Sequence, residues 1–167
     1  MVRILRHTDI QAPPEAVWRV IADFGGVASW APAVREAHCT TTLHSGVGCA
    51  RSVTASSGHT IEEVITGWDE GRSLTFQVPG GLARVITFLE ETWSVEETPT
   101  GSSAVVLMEY RSKLGPFGAA VTRILIRPVL DRMLTENLAG LKKHVEASRQ
   151  AACDNTESLL PGSEQQR

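Results

Sequence analysis

Apolar and polar residues alternate over several short stretches of the chain, a pattern typical of strands that bury one face. The first stretch is VRILRHTDI at residues 2–10, and the others, between residues 34 and 112, are VREAHCTT, CARSVTAS, TIEEVITGW, SLTFQV, RVITFLEETWSVEE and SAVVLMEYRS. The pieces between these later stretches, HSGVG, SSG, DEGR, PGGLA and TPTGS, are rich in turn residues. Short strands joined by short loops predict an antiparallel meander, and the whole pattern predicts about seven strands.

Two short helices are predicted after the first strand. The segment at residues 12–24 carries Pro13-Pro14 at its start, where a missing backbone N–H does no harm, and apolar residues then recur at helical spacing. Gly25-Gly26 is predicted to end this helix, and a second short helix is predicted over Val27–Trp30.

A long amphipathic helix is predicted near the end of the chain. Its apolar stripe recurs at steps of three or four residues through Phe117, Val121, Ile124 or Leu125, Leu130, Leu134, Leu138, Leu141 and Val145. Pro128 removes one backbone hydrogen bond, which predicts a kink or break near Ile124–Arg127. Such a stripe is stable only when it is buried, so we expect it to cover the apolar face of the sheet.

These elements predict one α+β domain over residues 1–148, followed by a tail at 149–167 without periodicity that is expected to be disordered. A bent sheet wrapped around one helix leaves a cavity wherever the facing side chains do not fill the gap. The sequence permits such a cavity without requiring it.

Composition and charge narrow the functional classes. The 167 residues are 42% hydrophobic and carry a net charge of -3, so no basic field would attract nucleic acid. No run of 18 apolar residues and no signal-peptide core is present, which predicts a cytoplasmic protein without a membrane span. Cys39, Cys49 and Cys153 form no CxxC motif and are expected to remain thiols. The histidines have no metal-ligand spacing and no nucleotide-binding motif occurs, so neither a metal nor a cofactor is predicted.

The order of motifs along residues 2–148 resembles the START-like superfamily, also called SRPBCC or Bet v 1-like, and within it the polyketide cyclase/dehydrase and lipid-transport branch. The segments that carry the resemblance are APPEAVWRVIADFGGVASWAP, EEVITGWDEGRSLTF and LGPFGAAVTRILIRPVLDRMLTENLAGLKKHVE. It implies a helix-grip fold, a curved antiparallel sheet around a long C-terminal helix, with a deep and mostly apolar cavity between them. It also implies a small hydrophobic ligand that is aromatic, polyketide-like or a lipid.

The resemblance leaves three functions open. The protein could be a cyclase or dehydratase, a carrier or sequestering protein for an apolar metabolite, or an accessory protein that binds a partner through Gly80–Leu82 and the long helix. Bacterial aromatase/cyclases of the superfamily carry a W-x-W-x-S-x-R-like stretch in a mid-sheet strand, whereas Thr60–Trp68 reads TIEEVITGW here. The sequence does not separate a monomer from a homodimer.

Three residues are candidates for chemistry. Alternation in RVITFLEETWSVEE places Glu91 on the same face as Leu89 and Trp93, where an apolar cavity would raise the pKa of its carboxyl and suit it to acid/base work. The alternative is that Glu91 pairs with a buried arginine or reaches water. Arg51 could hold a ligand carbonyl or could lie on the surface, and the Tyr110 hydroxyl could orient a ligand oxygen or be structural.

Further residues are candidates for the walls and mouth of the cavity. Either Glu62 or Glu63 faces inward, because neighbours on a strand point to opposite faces, and the sequence does not decide which. The PGGLA loop is either a gate or a simple hairpin turn. The candidate ligand-binding residues are Trp30, Glu63, Trp68, Phe76, Gly80, Gly81, Leu82, Leu89, Trp93, Leu130 and Leu134.

Overall fold

A seven-stranded antiparallel sheet forms one layer of the computed structural model, which describes residues 1–81, 86–112 and 122–157. The strands in the described residues are β1 (Val2–Ile10), β2 (Val34–Cys39), β3 (Ala50–Ala55), β4 (Thr60–Asp69), β5 (Ser73–Gln77), β6 (Ile86–Thr98) and β7 (Gly101–Ser112). Their order across the sheet is β1-β7-β6-β5-β4-β3-β2. The predicted meander of β2 to β7 is confirmed, and β1 adds to one edge of it by pairing with β7.

Alternation gives this sheet one apolar face. In β7 the buried positions fall at every second residue, and in β6 they do so from Leu89 to Val95, after a register shift between Ile86 and Phe88. Cross-strand pairs such as Trp93 with Val106 and Glu91 with Met108 therefore lie on the same face of the sheet. This inner face is curved and carries most of the core.

Two short helices follow β1, but their boundaries differ from the prediction. Helix α1 spans Pro14–Ala22, and a 3₁₀ helix spans Phe24–Ser29, so both glycines lie inside the second helix and do not end the first. Asp23 separates the two helices. A Cβ on Gly26 would lie 2.1 Å from Asp23 Oδ2, so a larger residue there would make the Asp23 side chain move.

The long helix α2 spans Arg127–Glu157 and follows a π-helical turn at Thr122–Ile126. The predicted interruption before Pro128 is confirmed, since regular α-helix begins only at Arg127. The stripe of Leu130, Leu134, Leu138, Leu141 and Val145 is buried as predicted. Ile124 and Leu125 do not extend it, because they lie in the wider π turn and are 68% and 64% exposed. Phe117 and Val121 lie outside the described residues.

Helix α2 extends beyond residue 148, into the segment that the sequence analysis expected to be disordered. The helix continues to Glu157, although its apolar stripe ends at Val145. Residues 146–157 read EASRQAACDNTE, which contains good helix formers and neither Gly nor Pro. Arg149 also donates a hydrogen bond to the carbonyl of Gln11, which ties this part of the helix to the domain. Residues 158–167 lie outside the described ranges. No helix within those ranges has the length and hydropathy that crossing a membrane requires.

Helix α2 approaches the loop after the 3₁₀ helix very closely at one residue. A Cβ on Gly140 would lie 2.0 Å from the carbonyl oxygen of Trp30 and 2.8 Å from Cδ of Pro32. The absence of a side chain at this position therefore sets how near the helix comes to the loop that carries Trp30.

We expect Gly140→Ala to destabilise the protein by about 1–3 kcal/mol, because the new methyl group must displace backbone atoms. In an unobstructed helix the same change would instead stabilise by up to about 1 kcal/mol. Urea unfolding followed by tryptophan fluorescence measures the difference. Lys143→Ala, on the exposed face of α2, is the control and should change stability by no more than about 0.5 kcal/mol. A Gly140→Ala variant more stable than the wild type would contradict the packing described.

Candidate functional site

An internal cavity of about 440 Å³ lies between the inner face of the sheet and helix α2, beside the 3₁₀ helix. This volume is within the range of small-molecule sites. Its apolar walls include Phe24, Trp30, Phe76, Leu89, Trp93 and Leu130. Five of these six were predicted as ligand-binding residues, and Phe24 was not.

The cavity opens to solvent at the turn between β3 and β4. Ser57, His59 and Thr60 line the cavity and are exposed, and across from the sheet the helical residue Val129 is 66% exposed. Gly80 and Gly81, for which the sequence left a gate and a simple hairpin turn open, lie elsewhere. Gly80 and Gly81 belong to a tight turn after β5 and do not line the cavity, and Leu82 lies outside the described residues.

The tightness of that turn explains its two glycines. Gly80 and Gly81 have φ of 80° and 76°, and a Cβ on Gly81 would lie 1.9 Å from the carbonyl oxygen of Ile86. The glycines therefore serve the hairpin conformation.

Glu91 lies on β6 between Leu89 and Trp93 and faces the cavity, as the alternation of the strand predicts. Its side chain is buried, and its Oε1 accepts a hydrogen bond of 2.6 Å from Nε1 of Trp93. The next strand places Phe76 directly opposite it. A carboxyl group thus stands among aromatic rings inside the cavity.

These surroundings raise the pKa of Glu91 to about 7. Burial is the main cause, because it removes water from the charged form, and the nearby Glu63 carboxylate adds repulsion. The Trp93 hydrogen bond and the Arg51 charge favour the charged form and oppose the shift. At neutral pH both protonation states of Glu91 are populated, so it can both donate and accept a proton.

Arg51 and Glu63 form a buried ion pair beside Glu91. They face each other across β3 and β4, and both Nε and Nη2 of Arg51 lie 2.6 Å from Oε2 of Glu63. Glu63 is therefore the inward carboxylate, and Glu62 is exposed. This settles the choice that the sequence left open.

Further contacts hold the Arg51 guanidinium in place. Its Nη1 donates a 2.5 Å hydrogen bond to the carbonyl of Phe24, and its Cζ lies 3.8 Å from the centre of the Phe24 ring and 5.2 Å from that of Phe76. The cation is thus already satisfied by a carboxylate, a carbonyl and two rings. Arg51 lines the cavity. Its contacts are better suited to holding the 3₁₀ helix against the sheet than to binding a ligand carbonyl.

Two pairs of aromatic rings shape the walls. Trp30 and Trp93 meet edge to face with ring centres 5.4 Å apart, and Phe24 and Phe76 are tilted with centres 5.7 Å apart. Aromatic rings offer flat, polarisable surfaces on which another ring can pack. Trp30 and Trp93 hold the positions expected of cavity residues.

Three predicted site residues, two of them buried and one partly buried, do not line the cavity. Tyr110 pairs with Leu89 across the sheet but is fully buried, and burial raises the pKa of its phenol, so it is a neutral core residue. Leu134 is likewise fully buried beneath α2. Trp68 packs against Trp18 with ring centres 5.1 Å apart and donates to Glu70.

The position of Trp68 has a local cause. The pairing of β4 with β5 shifts register between Ile65 and Gly67, so Trp68 pairs with the inward Leu74. Strict alternation along β4 would instead put Trp68 on the same side as the exposed Glu62. The irregularity brings its ring to the inner face, where it meets α1 beyond the end of the cavity.

Asn137 is a polar cavity residue that the sequence analysis missed. It lies on α2 four residues after Met133, and both side chains line the cavity. A polar residue beside an otherwise apolar stripe was a signal that could have found it. Among the described residues, no group of three or more His, Cys, Asp and Glu side chains converges as metal ligands would.

The curved sheet, the long covering helix and the cavity between them define a helix-grip protein of the SRPBCC superfamily. Residues 1–146 match the sequence profile of the family described as polyketide cyclase / dehydrase and lipid transport, and the chain belongs to this family.

The chain is also similar to a protein of known sequence and to solved structures. An uncharacterised protein of Mycobacterium tuberculosis is 25% identical over 150 residues, which cover 89% of this chain and 88% of the relative. The di-domain ARO/CYC BexL from the BE-7585A biosynthetic pathway superposes with a TM-score of 0.72 at 19% identity over 87% of this chain, which spans only 50% of BexL. Ara h 8.0201 gives a TM-score of 0.69 at 15% identity, over 87% of this chain and 98% of its own. At these identities the two structures show that the fold is shared.

Replacing Glu91 should change how stability depends on pH. The folded pKa of about 7 lies above the ordinary value of 4.5, so the native state holds the proton more tightly than the unfolded state. This contribution is fully present below pH 4.5 and is lost as pH rises through 7. Relative to Glu91→Gln, the wild type should lose on the order of 3 kcal/mol between these limits. Urea unfolding of both proteins across this range measures it, and parallel pH profiles would show that Glu91 titrates normally.

Proposed function

We propose that the protein binds a small, flat hydrophobic molecule, aromatic or polyketide-like, in its cavity, and that Glu91 acts on this molecule as a general acid and base. The observation that carries the proposal is the placement of one carboxyl group with a pKa of about 7 among the aromatic walls of the cavity. An acid that is half protonated near neutral pH is matched to proton transfer at that pH.

The walls favour a flat ligand over a flexible chain. Trp30, Trp93, Phe24 and Phe76 present rings around the cavity, and burying a second ring system against them gains both area and favourable ring geometry. The family's description as polyketide cyclase and dehydrase supports the same choice. So does the ARO/CYC designation of one structural relative.

Dehydration of a β-hydroxyketone is a reaction that one such group can complete. The Glu91 carboxylate would take the proton from the carbon next to the carbonyl. The same carboxyl group would then give a proton to the departing hydroxyl, which leaves as water as the carbon–carbon double bond forms. The carboxylate ends as it began, so no further reactant is consumed.

A carrier for a lipid or other apolar metabolite is the second candidate, and two observations favour it. Thr60–Trp68 lacks the Ser-x-Arg of the aromatase/cyclases. Arg51, whose charge acts on Glu91 in this cavity, is already paired with Glu63 and is not free to polarise a ligand carbonyl. In a carrier, Glu91 would orient its cargo through a hydrogen bond and transfer no proton.

Glu91→Gln separates the two candidates with a simple probe, 3-hydroxy-1-tetralone, a β-hydroxyketone that becomes 1-naphthol when it loses water. We expect the wild type to accelerate this conversion and Glu91→Gln to lower the rate by about 100-fold or more, since an amide cannot exchange the proton. Formation of fluorescent 1-naphthol measures the rate.

Binding of the product provides the control. Quenching of tryptophan fluorescence by 1-naphthol should give dissociation constants for the two proteins within about threefold, because Gln keeps the shape of Glu. A wild type that binds 1-naphthol and does not accelerate its formation would favour the carrier. A wild type that does neither would remove support for both functions.

A further inference from the structure

Asn137 is a buried polar side chain that faces the cavity from the helix, on the side opposite to Glu91. It is 8% exposed and lies on the same stretch of α2 as Leu130 and Met133, which also line the cavity. An amide in such a place needs hydrogen-bond partners, because burying an unpaired donor costs about 1–3 kcal/mol.

The orientation of the Asn137 amide is fixed by a backbone group. Its Oδ1 accepts a hydrogen bond of 3.4 Å from the backbone N–H of Ala33, and an N–H can only donate, so the partner must be the carbonyl oxygen. The amide nitrogen, Nδ2, therefore points its two N–H groups elsewhere. In the part of the chain that the structure describes, no atom accepts a hydrogen bond from Nδ2.

The neighbouring backbone packs closely around this hydrogen bond. Ala33 directly follows the loop that contains Trp30 and Pro32. Because Gly140 has no side chain, α2 packs closely against this loop. The acceptor and its donor thus belong to two elements in direct contact, one turn of helix from Gly140. A donor held in this way is preorganised for a ligand oxygen.

We propose that Asn137 is a specificity-determining residue whose Nδ2 donates a hydrogen bond to a carbonyl-type oxygen on the ligand. This inference rests on the proposed function and adds a constraint to it. The ligand carries its reacting group toward Glu91 on the sheet and an oxygen acceptor toward Asn137 on the helix, with its flat apolar body between the aromatic walls. Hydrocarbons of the same shape would leave the amide unpaired and bind less tightly.

Fluorenone and fluorene test this inference as a matched pair, because the two flat molecules differ in one carbonyl oxygen. Their affinities are measured by quenching of tryptophan fluorescence, with equilibrium dialysis as a second method. The measurement is made at pH 8, where Glu91, with its pKa of about 7, is mostly ionised and does not donate to the ketone. We expect the wild type to prefer fluorenone, and Asn137→Leu to reduce the ratio of the two affinities about fivefold, the value of one hydrogen bond.

Asn137→Asp keeps an acceptor for the N–H of Ala33 and removes the donor, so it should lose the preference as well even if the leucine variant folds poorly. Circular dichroism and urea unfolding establish that each variant is folded. If either folded variant retains the wild-type ratio while fluorene binding is unchanged, Asn137 does not read the ligand oxygen, although the cavity still binds ligands. If the wild type binds neither probe, the proposed function fails and this inference fails with it.

Discussion

The whole structure depends on the need to cover one curved apolar sheet face with a single helix. Leu130, Leu134, Leu138 and Leu141 of the helix are buried against this face, and a cavity remains beside them. At Gly140 the helix lies against the backbone of Trp30. At its start, the π turn at Thr122–Ile126 interrupts the regular α-helical spacing of the apolar stripe. The sheet and the helix therefore pack tightly in some places and leave a gap in others. That gap is the cavity, and it follows from the shapes of the two elements.

Three ionisable side chains, Arg51, Glu63 and Glu91, line this cavity and determine its electrostatics. The Arg51 and Glu63 charges offset one another, and two aromatic rings and a backbone carbonyl complete the contacts of the guanidinium. Removing one partner of such a pair would strand a buried charge, which is far costlier than losing both. Glu91 is a second carboxyl beside this neutralised pair. Burial raises the pKa of Glu91 first, the Glu63 carboxylate adds repulsion, and Arg51, already paired with Glu63, opposes the shift only in part, so Glu91 stays neutral to a higher pH than a glutamate in water.

The strands and their inward faces could be predicted from alternation where pairing is regular. Glu91 and Trp93 were placed correctly because β6 alternates without interruption across the site. The same rule failed at Trp68, where the register shift in β4 moves the side chain to the other face, and such a shift is not visible in one sequence. Tyr110 shows a second limit. Alternation predicts which face of the sheet a residue lies on, but it does not predict whether that part of the face borders the cavity or the packed core. Tyr110 lies in the packed core.

Features that depend on two distant elements could not be predicted at all. The Arg51–Glu63 pair needed the register of β3 against β4, which decides which of two adjacent glutamates is partnered. The Asn137 amide is oriented by a hydrogen bond from the backbone N–H of Ala33, which lies more than one hundred residues earlier in the chain. The sequence left a gate and a hairpin turn open for the glycines after β5, and their positive φ angles and the close backbone contact at Gly81 fit a tight turn. Local composition is the same for both roles, and only the three-dimensional setting separates them.

Native mass spectrometry of the protein purified from its own source, without detergent, tests most directly whether the cavity is a ligand site. The account predicts a discrete added mass that is released on denaturation and that belongs to a flat, oxygen-bearing apolar molecule. The added mass should be lost in Ala55→Phe, which places a ring in the cavity, and kept in Thr54→Phe, a neighbour that does not line it. A wild-type protein that carries no added mass, and that acquires none when incubated with 1-naphthol or fluorenone, would contradict the account.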